Sequence, residues 1–435
     1  MHRSPWLTIA GILGVSTVLA GCAGSPATTS VRSAGAGNGG SAARAYEVWV
    51  QSAGSDASSS FTVIDPSGGG VLRSIPAGLP SADSRHVYRA VPQGAGTLLS
   101  AVDPATGRVS ASLHLPYPVA MPTMDAGNVA PLTPDGRVLV LAHQDRTAAG
   151  AIGESSFAVV DRGLSRAPSL IRLPGSWRYD GVNADGTNLF LIEDLTATPS
   201  RSYHVRRYDL VSDRLDPTVI VAKGETESTM TGVGVARAFL GGGSWQFTLY
   251  ADGSKGAFIH ALDLNQDNLA ICVDIPGTPT SGHEGYWSLL AGTQGTAVAV
   301  NGATGNLAVL QLNGIPGMQR SVRVAVPGAL LDGPPGGLCC TPVDGAAVLG
   351  TDGRTVYAAT PAGVAVFDTT TMTLRGAVGA GLQPRSLAGA PDGGLVVATG
   401  SRVLFLDVAA GKPPRLLWEG GKATGEVIGV EVPGG

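Results

Sequence analysis

The sequence of 435 residues is poor in charge and has no block of basic side chains. Only 14% of its residues are charged, and the formal net charge is −4. A surface that binds nucleic acid needs clustered positive charge, whereas the densest basic stretch here, residues 201–207, is typical of a solvated strand face. The sequence therefore predicts that nucleic acid is not a partner.

The sequence also lacks the short motifs of several enzyme classes. It contains no HExxH, no GxSxG and no phosphate-binding loop. Five histidines lie in or beside predicted strands without a partner histidine at i+2 or i+4, and we interpret them as structural: His86, His114, His143, His204 and His260. We predict no cofactor, and we leave enzymatic activity open while favouring a protein that is not an enzyme.

Long apolar runs are absent except for one short run near the N-terminus. Residues 6–20 are apolar or small and follow the basic residue Arg3. Fifteen residues are too few for a mature membrane-spanning helix, but they suit the core of a signal peptide. The run ends in Leu19-Ala20-Gly21-Cys22, which resembles the lipobox of bacterial lipoproteins. That resemblance implies cleavage before Cys22 and a lipid on its thiol; an ordinary secretory signal is the alternative.

The residues after Cys22 cannot bury a core. Residues 23–44 are rich in Ser, Gly, Ala and Thr, and Val31 is their one large apolar side chain, so we expect a flexible tether. The expected organisation is a signal peptide over 1–21, the lipidated Cys22 and tether over 22–44, and a folded domain over 45–435. The lipid would hold the domain at the cell membrane, facing outside the cytoplasm.

Cysteine is scarce as well, with four in the whole chain. If Cys22 carries a lipid, an odd number remains: Cys272, Cys339 and Cys340. Disulfides are allowed outside the cytoplasm, but the sequence does not decide between a bridge from Cys272 to Cys339 and one to Cys340.

What the chain has in excess is glycine, 63 residues, and a short repeated unit. The unit is clearest over residues 352–378, where the turn Asp352-Gly353 precedes a strand, and a second strand ends at Asp368. It recurs at once, with Asp392-Gly393 and a strand that ends at Asp407. A period near 40 residues with several short strands per repeat is typical of propeller blades.

The strand that ends in an acidic residue can be followed through the chain eight times, with one variant that ends in Gln. The end residues are Asp65, Asp103, Asp161, Asp209, Asp263, Gln311, Asp368 and Asp407. Each carboxylate is expected to accept a backbone N–H two residues further on and so to start a hairpin turn. The sequence thus predicts an all-β fold. A β-sandwich is the alternative, but eight hairpins are too many for it.

The predicted fold is a β-propeller of seven or eight four-stranded blades. Eight repeats favour eight blades, whereas the short interval between Ile75 and Val87 leaves little room for an inner strand and keeps seven open. Small residues near the axis should form inner strands over 232–236, 288–292 and 386–390. The C-terminal strand, residues 427–432, is expected to complete the first blade and close the ring.

These repeats resemble bacterial extracytoplasmic propellers of the YVTN, WD40-like and quinoprotein-like class. Residues 352–359 and 103–108 carry the resemblance, which covers residues 45–433 and implies a fold rather than an activity. Quinoprotein alcohol dehydrogenases of this class carry a disulfide between adjacent cysteines. The dipeptide Cys339-Cys340 would, by that resemblance, imply a redox role, and a buried strand pair is the alternative.

Two segments between predicted blades combine aromatic, basic and acidic side chains. Connections of this kind gather around the mouth of a propeller's channel, so we predict ligand-binding loops at Trp177, Arg178, Tyr179, Asp180, His283, Glu284 and Trp287. His283 is the candidate base or metal ligand, with Glu284 next to it. A solvated loop histidine is the alternative.

One further segment resembles the start of an EF-hand calcium loop. Its candidate ligands are Asp263, Asn265, Asp267 and Asp274. However, Asn268 stands in place of the turn glycine and Asp274 in place of the usual Glu, and the other units have a hairpin at this point. We therefore predict a hairpin and no metal site, with calcium binding as the alternative.

The function predicted from these observations is that of a membrane-anchored extracytoplasmic lipoprotein. Its propeller would be a non-catalytic binding or scaffolding module, and its partner another cell-envelope protein or a small ligand. The alternative is an extracytoplasmic propeller enzyme, namely a lyase, a lactonase or a quinone-dependent dehydrogenase, acting at the channel mouth.

Overall fold

The structure is a computed structural model that describes most of the chain from residue 46 onwards. The described ranges are 46–51, 59–81, 83–124, 127–128, 132–133, 135–195, 202–223, 229–240, 243–252, 256–265, 268–277, 286–292, 295–313, 315–326, 347–400, 402–408, 414–419 and 427–431. The predicted signal peptide, Cys22 and the tether lie outside the described residues, as do Asp267, His283, Glu284, Cys339 and Cys340.

Regular structure in these ranges consists of β-strands. The strands up to residue 231 are β1 (Glu47–Gln51), β2 (Ser60–Ile64), β3 (Val71–Pro76), β4 (Leu79–Pro80), β5 (Val87–Gln93), β6 (Gly96–Val102), β7 (Val109–Leu115), β8 (Thr123–Met124), β9 (Gly127–Asn128), β10 (Val138–Arg146), β11 (Ile152–Asp161), β12 (Ser169–Pro174), β13 (Trp177–Val182), β14 (Asn188–Asp194), β15 (Ser202–Asp209), β16 (Arg214–Ile220) and β17 (Met230–Thr231).

The remaining strands follow the same pattern to the end of the chain. They are β18 (Val233–Leu240), β19 (Trp245–Asp252), β20 (Gly256–Asp263), β21 (Ala270–Ile275), β22 (Trp287–Ala291), β23 (Thr296–Asn301), β24 (Asn306–Asn313), β25 (Ile315–Arg323), β26 (Ala347–Leu349), β27 (Thr355–Thr360), β28 (Gly363–Asp368), β29 (Thr373–Val378), β30 (Ser386–Gly389), β31 (Leu395–Ala398), β32 (Arg402–Leu406), β33 (Arg415–Glu419) and β34 (Val427–Glu431).

The strands form a β-propeller, as the sequence predicted, and it has eight blades, one of the two numbers that the sequence left open. Blade 1 has the order β34-β1-β2-β3, and blades 2 to 8 are β4–β7, β10–β12, β13–β16, β18–β21, β22–β25, β26–β29 and β30–β33. The inner strand of blade 2 is only two residues long, Leu79–Pro80. An inner strand therefore does fit between Ile75 and Val87, the short interval for which the sequence had left a seven-bladed ring as an alternative.

Blade 3 departs from the four-stranded pattern. Its sheet contains three strands, and an isolated antiparallel bridge joins Leu132 to Leu139 on β10 at the place of an inner strand. Two short strands, β8 and β9, pair with each other in the preceding segment, and β17 adds to blade 4 by pairing with β15. The inner strands predicted from small residues are present as β18, β22 and β30.

The ring is closed by its last strand. β34 pairs antiparallel with β1, from Glu47↔Glu431 to Val50↔Val427, with a register shift after Trp49. The closure predicted from the sequence is therefore confirmed, and the first blade is built from both ends of the described chain.

The core is divided among the interfaces between neighbouring blades. Eight apolar clusters lie between successive sheets, each containing residues of two adjacent blades. The cluster between blades 7 and 8 contains Ala359, Val364, Leu387, Leu395, Val397, Leu404 and Leu406. Full burial of one such Leu or Val contributes about 1.5–3 kcal/mol relative to exposure, so these clusters are the main source of stability.

The aspartates at strand ends form the turns that were predicted for them. At six of them a side-chain oxygen accepts the backbone N–H two residues on, at 2.7–3.1 Å: Asp65, Asp103, Asp161, Asp209, Asp263 and Asp368. The Gln311 unit differs, because β24 continues to Asn313. Asn301, at the preceding turn, instead accepts the N–H groups of Ala303 and Thr304, both at 3.0 Å.

Among the residues that the structure describes, no helix has the length and apolar content needed to cross a membrane.

Candidate functional site

The first predicted loop is a strand. Trp177–Val182 form β13, the inner strand of blade 4, which pairs with β14 from Trp177↔Glu193 to Val182↔Leu189. The placement of these residues in a connecting loop was wrong. Aromatic and charged residues alternate from Trp177 to Asp180, which is a strand pattern. It was missed because Arg178 and Asp180 suggest a solvated loop, whereas both are held in ion pairs.

A bulge in β13 sets the position of Asp180. The register passes from Tyr179↔Leu191 directly to Gly181↔Phe190, which leaves Asp180 without a paired residue. Bulges of this kind redirect side chains. The Asp180 carboxylate is fully buried, and its Oδ1 accepts hydrogen bonds from Arg237 Nη2 at 2.8 Å and from Gln246 Nε2 at 3.1 Å. Blade 4 therefore contacts blade 5 through a buried ion pair.

Arg178 forms a second ion pair a few residues earlier in β13. Its Nη2 and Nε atoms donate to Asp194 Oδ1 at 2.9 and 3.2 Å, and Ser176 Oγ donates to Asp194 Oδ2 at 2.7 Å. The guanidinium also lies over the Tyr203 ring, 5.6 Å from its centroid. The charge of Arg178 is thus neutralised inside the protein.

The other face of β13 is turned away from these charges. Trp177 and Tyr179 pack in the apolar cluster between blades 3 and 4, where they are 5% and 4% exposed. Trp177 Nε1 donates to the carbonyl of Pro174 at 2.9 Å, and the Arg206 guanidinium lies 5.7 Å from the Trp177 ring centroid. The four predicted residues are therefore together in one strand, but they face two different interfaces.

The side of the interface that faces Arg178 and Asp180 is formed by blade 5. Arg237, Thr248 and His260 are cross-strand neighbours on β18, β19 and β20, and Arg237 Nε donates to Thr248 Oγ1 at 3.2 Å. The His260 side chain is 1% exposed, and burial lowers the pKa of its imidazole, which is therefore neutral at pH 7. The Tyr250 ring lies 6.3 Å from the His260 ring.

Two tyrosines, one from each blade, pack against each other across the interface between blades 4 and 5. The Tyr203 ring of blade 4 lies 5.7 Å from the Tyr250 ring of blade 5, and burial raises the pKa of both phenols well above their ordinary value. We call the whole set the polar interface. It consists of Arg178, Asp180, Asp194 and Tyr203 from blade 4 with Arg237, Gln246, Thr248, Tyr250 and His260 from blade 5.

Part of the hydrogen-bonding capacity in the polar interface is unused. Six of its side chains have buried atoms with no hydrogen-bond partner among the described residues: Asp180 Oδ2, Tyr203 Oη, Arg237 Nη1, Gln246 Oε1, Tyr250 Oη and both nitrogens of His260. A buried polar group left unsatisfied costs about 1–3 kcal/mol. Donors and acceptors are both represented among these atoms.

A pocket of about 370 Å³ opens at one end of this interface. It is lined by Thr231, Gly256, Ala257, Phe258, Asp274, Ile275, Pro276 and Gly277. The Phe258 ring stacks on Tyr250 with 5.3 Å between the ring centroids and 14° between the planes. Stacked aromatic rings therefore connect the pocket to the polar interface. Its volume is within the range of roughly 300–1,000 Å³ that small-molecule sites occupy.

The second predicted loop segment is described only in part. His283 and Glu284 lie outside the described residues. Trp287 begins β22 and is 4% exposed in the apolar cluster between blades 5 and 6. The structure therefore does not bring Trp287 together with the residues of β13.

The segment that resembled a calcium loop is a hairpin between β20 and β21, as predicted. Asp263 Oδ1 accepts the N–H of Asn265 at 2.9 Å at the turn, whereas Asp274 is opposite Phe258 further along the hairpin. Asp267 lies outside the described residues. No group of three or more metal-ligating side chains occurs in the part of the chain that the structure describes.

Sequence reasoning missed the blade 5 side of the site. Gln246, Thr248 and Tyr250 alternate along β19 and place polar groups on one face of a strand. In a propeller both faces of a sheet are buried, so polar alternation within a blade is itself a signal. It was overlooked because the same alternation is typical of an ordinary sheet with one face in solvent.

Comparison with known proteins supports the fold. No protein-family model and no curated protein matches the chain. Among solved structures, the dihydro-heme d1 dehydrogenase NirN in complex with DHE has a TM-score of 0.52 and 14% identity, covering 90% of this chain and 75% of that one. AztD from Citrobacter koseri has a TM-score of 0.50 and 11% identity, with coverages of 88% and 97%.

A third similar structure is the periplasmic gluconolactonase PpgL from Pseudomonas aeruginosa. Its TM-score is 0.40 and its identity 17%, covering 88% of this chain and 99% of that one. At identities as low as these, similarity of structure reports on fold and not on activity. The chain is an eight-bladed β-propeller, the fold that it shares with NirN and AztD.

Proposed function

We propose that the protein is a membrane-anchored extracytoplasmic lipoprotein whose propeller is a non-catalytic binding module. Its ligand would enter the pocket at the end of the polar interface. The observation that carries this proposal is the stacked pair Phe258 and Tyr250, which joins an open pocket to a buried polar site in the same interface. A pocket with convergent polar groups is the default candidate for ligand binding.

The charged groups of β13 favour binding over catalysis. Arg178 and Asp180 are both held in ion pairs, with Asp194 and Arg237 respectively. A general acid or base needs access to the reacting atom, whereas Asp180 is fully buried and Arg178 is held against Asp194. These contacts give the alternative of a propeller enzyme no support at this site.

The proposed anchoring follows from the N-terminal sequence. The lipobox-like run that ends at Cys22 and the tether over 23–44 would place the propeller at the cell membrane, facing outside the cytoplasm. Two or three acyl chains on one residue give stable attachment, whereas a single chain is marginal. A protein held there would bind a small ligand or another protein of the cell envelope.

Ligand binding is tested with a variant that fills the pocket. We expect a small-molecule library to contain a compound that raises the melting temperature of the full chain, as any ligand that binds only the folded state does. Thr231→Trp should abolish that shift, because Thr231 lines the pocket. The control is Val211→Trp, at an exposed turn residue of blade 4, which should keep it.

Two outcomes would contradict this part of the proposal. One is a compound whose stabilising effect is the same in Thr231→Trp and in Val211→Trp. The other is a compound that the wild-type chain converts to a product detectable by mass spectrometry.

Anchoring is tested separately at Cys22. Cys22→Ser should leave an unlipidated precursor, because the thiol that accepts the lipid is gone. A chain that starts at Ala23 behind an ordinary secretory signal should instead be released as folded protein. Cell fractionation and mass spectrometry of the N-terminal peptide measure both. An unmodified Cys22 in the mature wild-type protein would overturn the lipoprotein assignment.

A further inference from the structure

We propose that the pocket at the end of the polar interface binds a small organic ammonium ion that carries an apolar group. This inference rests on the proposed function and names the class of ligand. The charge at the pocket, the aromatic ring in its wall and the surrounding apolar surface together favour this class of ligand.

The charge at the pocket is that of a single carboxylate. Asp274 is the one charged side chain among the described lining residues, and it is exposed at the end of β21. No ion pair or hydrogen bond joins its carboxylate to any residue that the structure describes. In this it differs from Asp180 and Asp194, which are neutralised by arginines in the polar interface. The Asp274 carboxylate is therefore available to a cationic ligand.

The aromatic ring beside this carboxylate is Phe258. Phe258 and Asp274 are cross-strand neighbours on β20 and β21, so their side chains lie on the same face of blade 5. An ammonium group is attracted to the face of an aromatic ring as well as to a carboxylate. A ligand cation held between Phe258 and Asp274 would make both contacts at once.

The Phe258 ring is held in place from behind. It stacks on Tyr250, which is 2% exposed and packs in turn against Tyr203. A Cβ atom at Gly232 would lie 3.5 Å from Phe258 Cε1, so the backbone of the adjoining segment also confines the ring. A ring fixed in this way loses little side-chain entropy when a ligand binds.

The rest of the wall suits an apolar substituent. Ile275, Pro276 and Ala257 contribute apolar groups, and Gly256 and Gly277 contribute backbone. Thr231 supplies the remaining polar side chain, from β17 of blade 4. The pocket therefore combines one anionic group with largely uncharged surroundings, which matches a ligand with a cationic head and an apolar part.

Matched pairs of probes test the role of charge at constant shape. Choline is compared with its uncharged isostere 3,3-dimethylbutan-1-ol, and 2-phenylethylammonium with 2-phenylethanol, by calorimetry on the full chain at low salt. We expect each cation to bind about fivefold or more tightly than its neutral counterpart, the ratio that corresponds to roughly 1 kcal/mol. The ratio should fall as salt is added, because salt screens exposed charges.

Variants locate the effect within the pocket. Asp274→Asn should reduce the ratio between cation and neutral isostere to about one, and Phe258→Leu should weaken the cation more than the isostere. The matched control is Asp145→Asn, which removes a carboxylate of 61% exposure from blade 3. It should leave both affinities unchanged, and all variants should keep the melting temperature of the wild type within a few degrees.

Several results would overturn the inference. They are equal binding of cation and isostere, a ratio that Asp274→Asn leaves intact, and failure of all four probes to bind the folded chain. If an uncharged or anionic compound from the library loses its binding in Thr231→Trp, the ammonium class is wrong while the proposed binding function stands. If no compound of any charge depends on Thr231, the proposed function fails as well.

Discussion

The interface between blades 4 and 5 and the interface between blades 7 and 8 connect the same kind of sheet, yet their contents differ. Between blades 7 and 8 the buried cluster is aliphatic. Between blades 4 and 5 an apolar cluster is accompanied by two ion pairs, a buried histidine and a glutamine. Among the residues that the structure describes, the ion pairs of blades 7 and 8 lie within one blade or the other, so two blades can be joined without an ion pair between them.

That difference makes the polar interface informative. Bringing two charges out of water costs several kcal/mol, and apolar replacements of similar size are often neutral or stabilising. Stability alone is therefore a poor reason for Asp180 and Arg237 to be there. Neither residue lines the pocket at the end of this interface, so the pair is separate from the proposed binding surface.

The largest difference in stability between the two interfaces is expected when one charge of the buried ion pair is removed. Asp180→Ala leaves the Arg237 guanidinium buried without its counter-ion, since the side chain of Arg237 is only 6% exposed. We expect a loss of about 3–5 kcal/mol in the free energy of unfolding, measured by chemical denaturation. The double variant Asp180→Leu with Arg237→Met should recover most of that loss. A double variant as unstable as Asp180→Ala would show that the pair does stabilise the ring.

A shortened side chain between blades 7 and 8 shows how much stability an apolar contact contributes, for comparison with the ion pair. Leu395 is 1% exposed in the cluster between blades 7 and 8, and Leu395→Ala removes apolar contacts and leaves a cavity. The expected loss is roughly 2–5 kcal/mol, and it should be independent of pH between 5 and 8. The exposed Leu416→Ala on β33 serves as the control and should change stability by less than about 0.5 kcal/mol. A pH-dependent loss for Leu395→Ala would mean that the two interfaces are coupled.

Lowering the pH should weaken the interface between blades 4 and 5, which contains His260, more than the interface between blades 7 and 8. Burial lowers the pKa of His260 in the folded protein, while the unfolded chain has the ordinary value of about 6.5. The folded state therefore binds fewer protons below that value, and stability is lost as the pH falls from about 6.5 towards the folded pKa, by at most about 1.4 kcal/mol per pH unit. His260→Gln should lack this component. If the melting temperatures of the wild type and of His260→Gln fall equally between pH 7.5 and 5, His260 does not contribute this loss.

The smallest effect is expected on the opposite face of β13. The Tyr179 hydroxyl is buried and has no hydrogen-bond partner among the described residues. Tyr179→Phe removes this hydroxyl and keeps the ring, so we expect stability to stay equal or to rise by up to about 1 kcal/mol. The midpoint of denaturation measures it, with Tyr208→Phe as the contrast, since the Tyr208 hydroxyl donates to Asp213 at 2.7 Å. A clear loss in Tyr179→Phe would mean that its hydroxyl does have a partner.

Most of the fold was predictable because it depends on local signals that repeat. Each aspartate that ends a strand acts on the next few residues, so Asp65 and Asp368 form their turns without help from distant parts of the chain. Closure of the ring by β34 was predictable because β1 had no preceding strand to pair with. The failure at Gln311 is of the same kind, since the turn signal lies in Asn301, which the series of strand ends did not include.

The candidate site was harder to predict because its contacts are not local. Asp180 and Arg237 are 57 residues apart in sequence, and neither segment contains a pattern that indicates the other as its partner. Before that contact is known, a strand such as β13 with Arg178 and Asp180 reads as solvent-exposed. The bulge that redirects Asp180 also has no sequence signature beyond Gly181.

The pairing of β34 with β1 also fixes an order of events in time. A chain is made from its N-terminus, and Val427 lies 376 positions after Gln51, so β1 exists long before the strand that covers its inner edge. Until then blade 1 presents unpaired N–H and C=O groups, which are templates for pairing between chains. Blade 1 is begun first and finished last. In a chain that folds while it is made, the inner edge of β1 therefore stays open until β34 has been added.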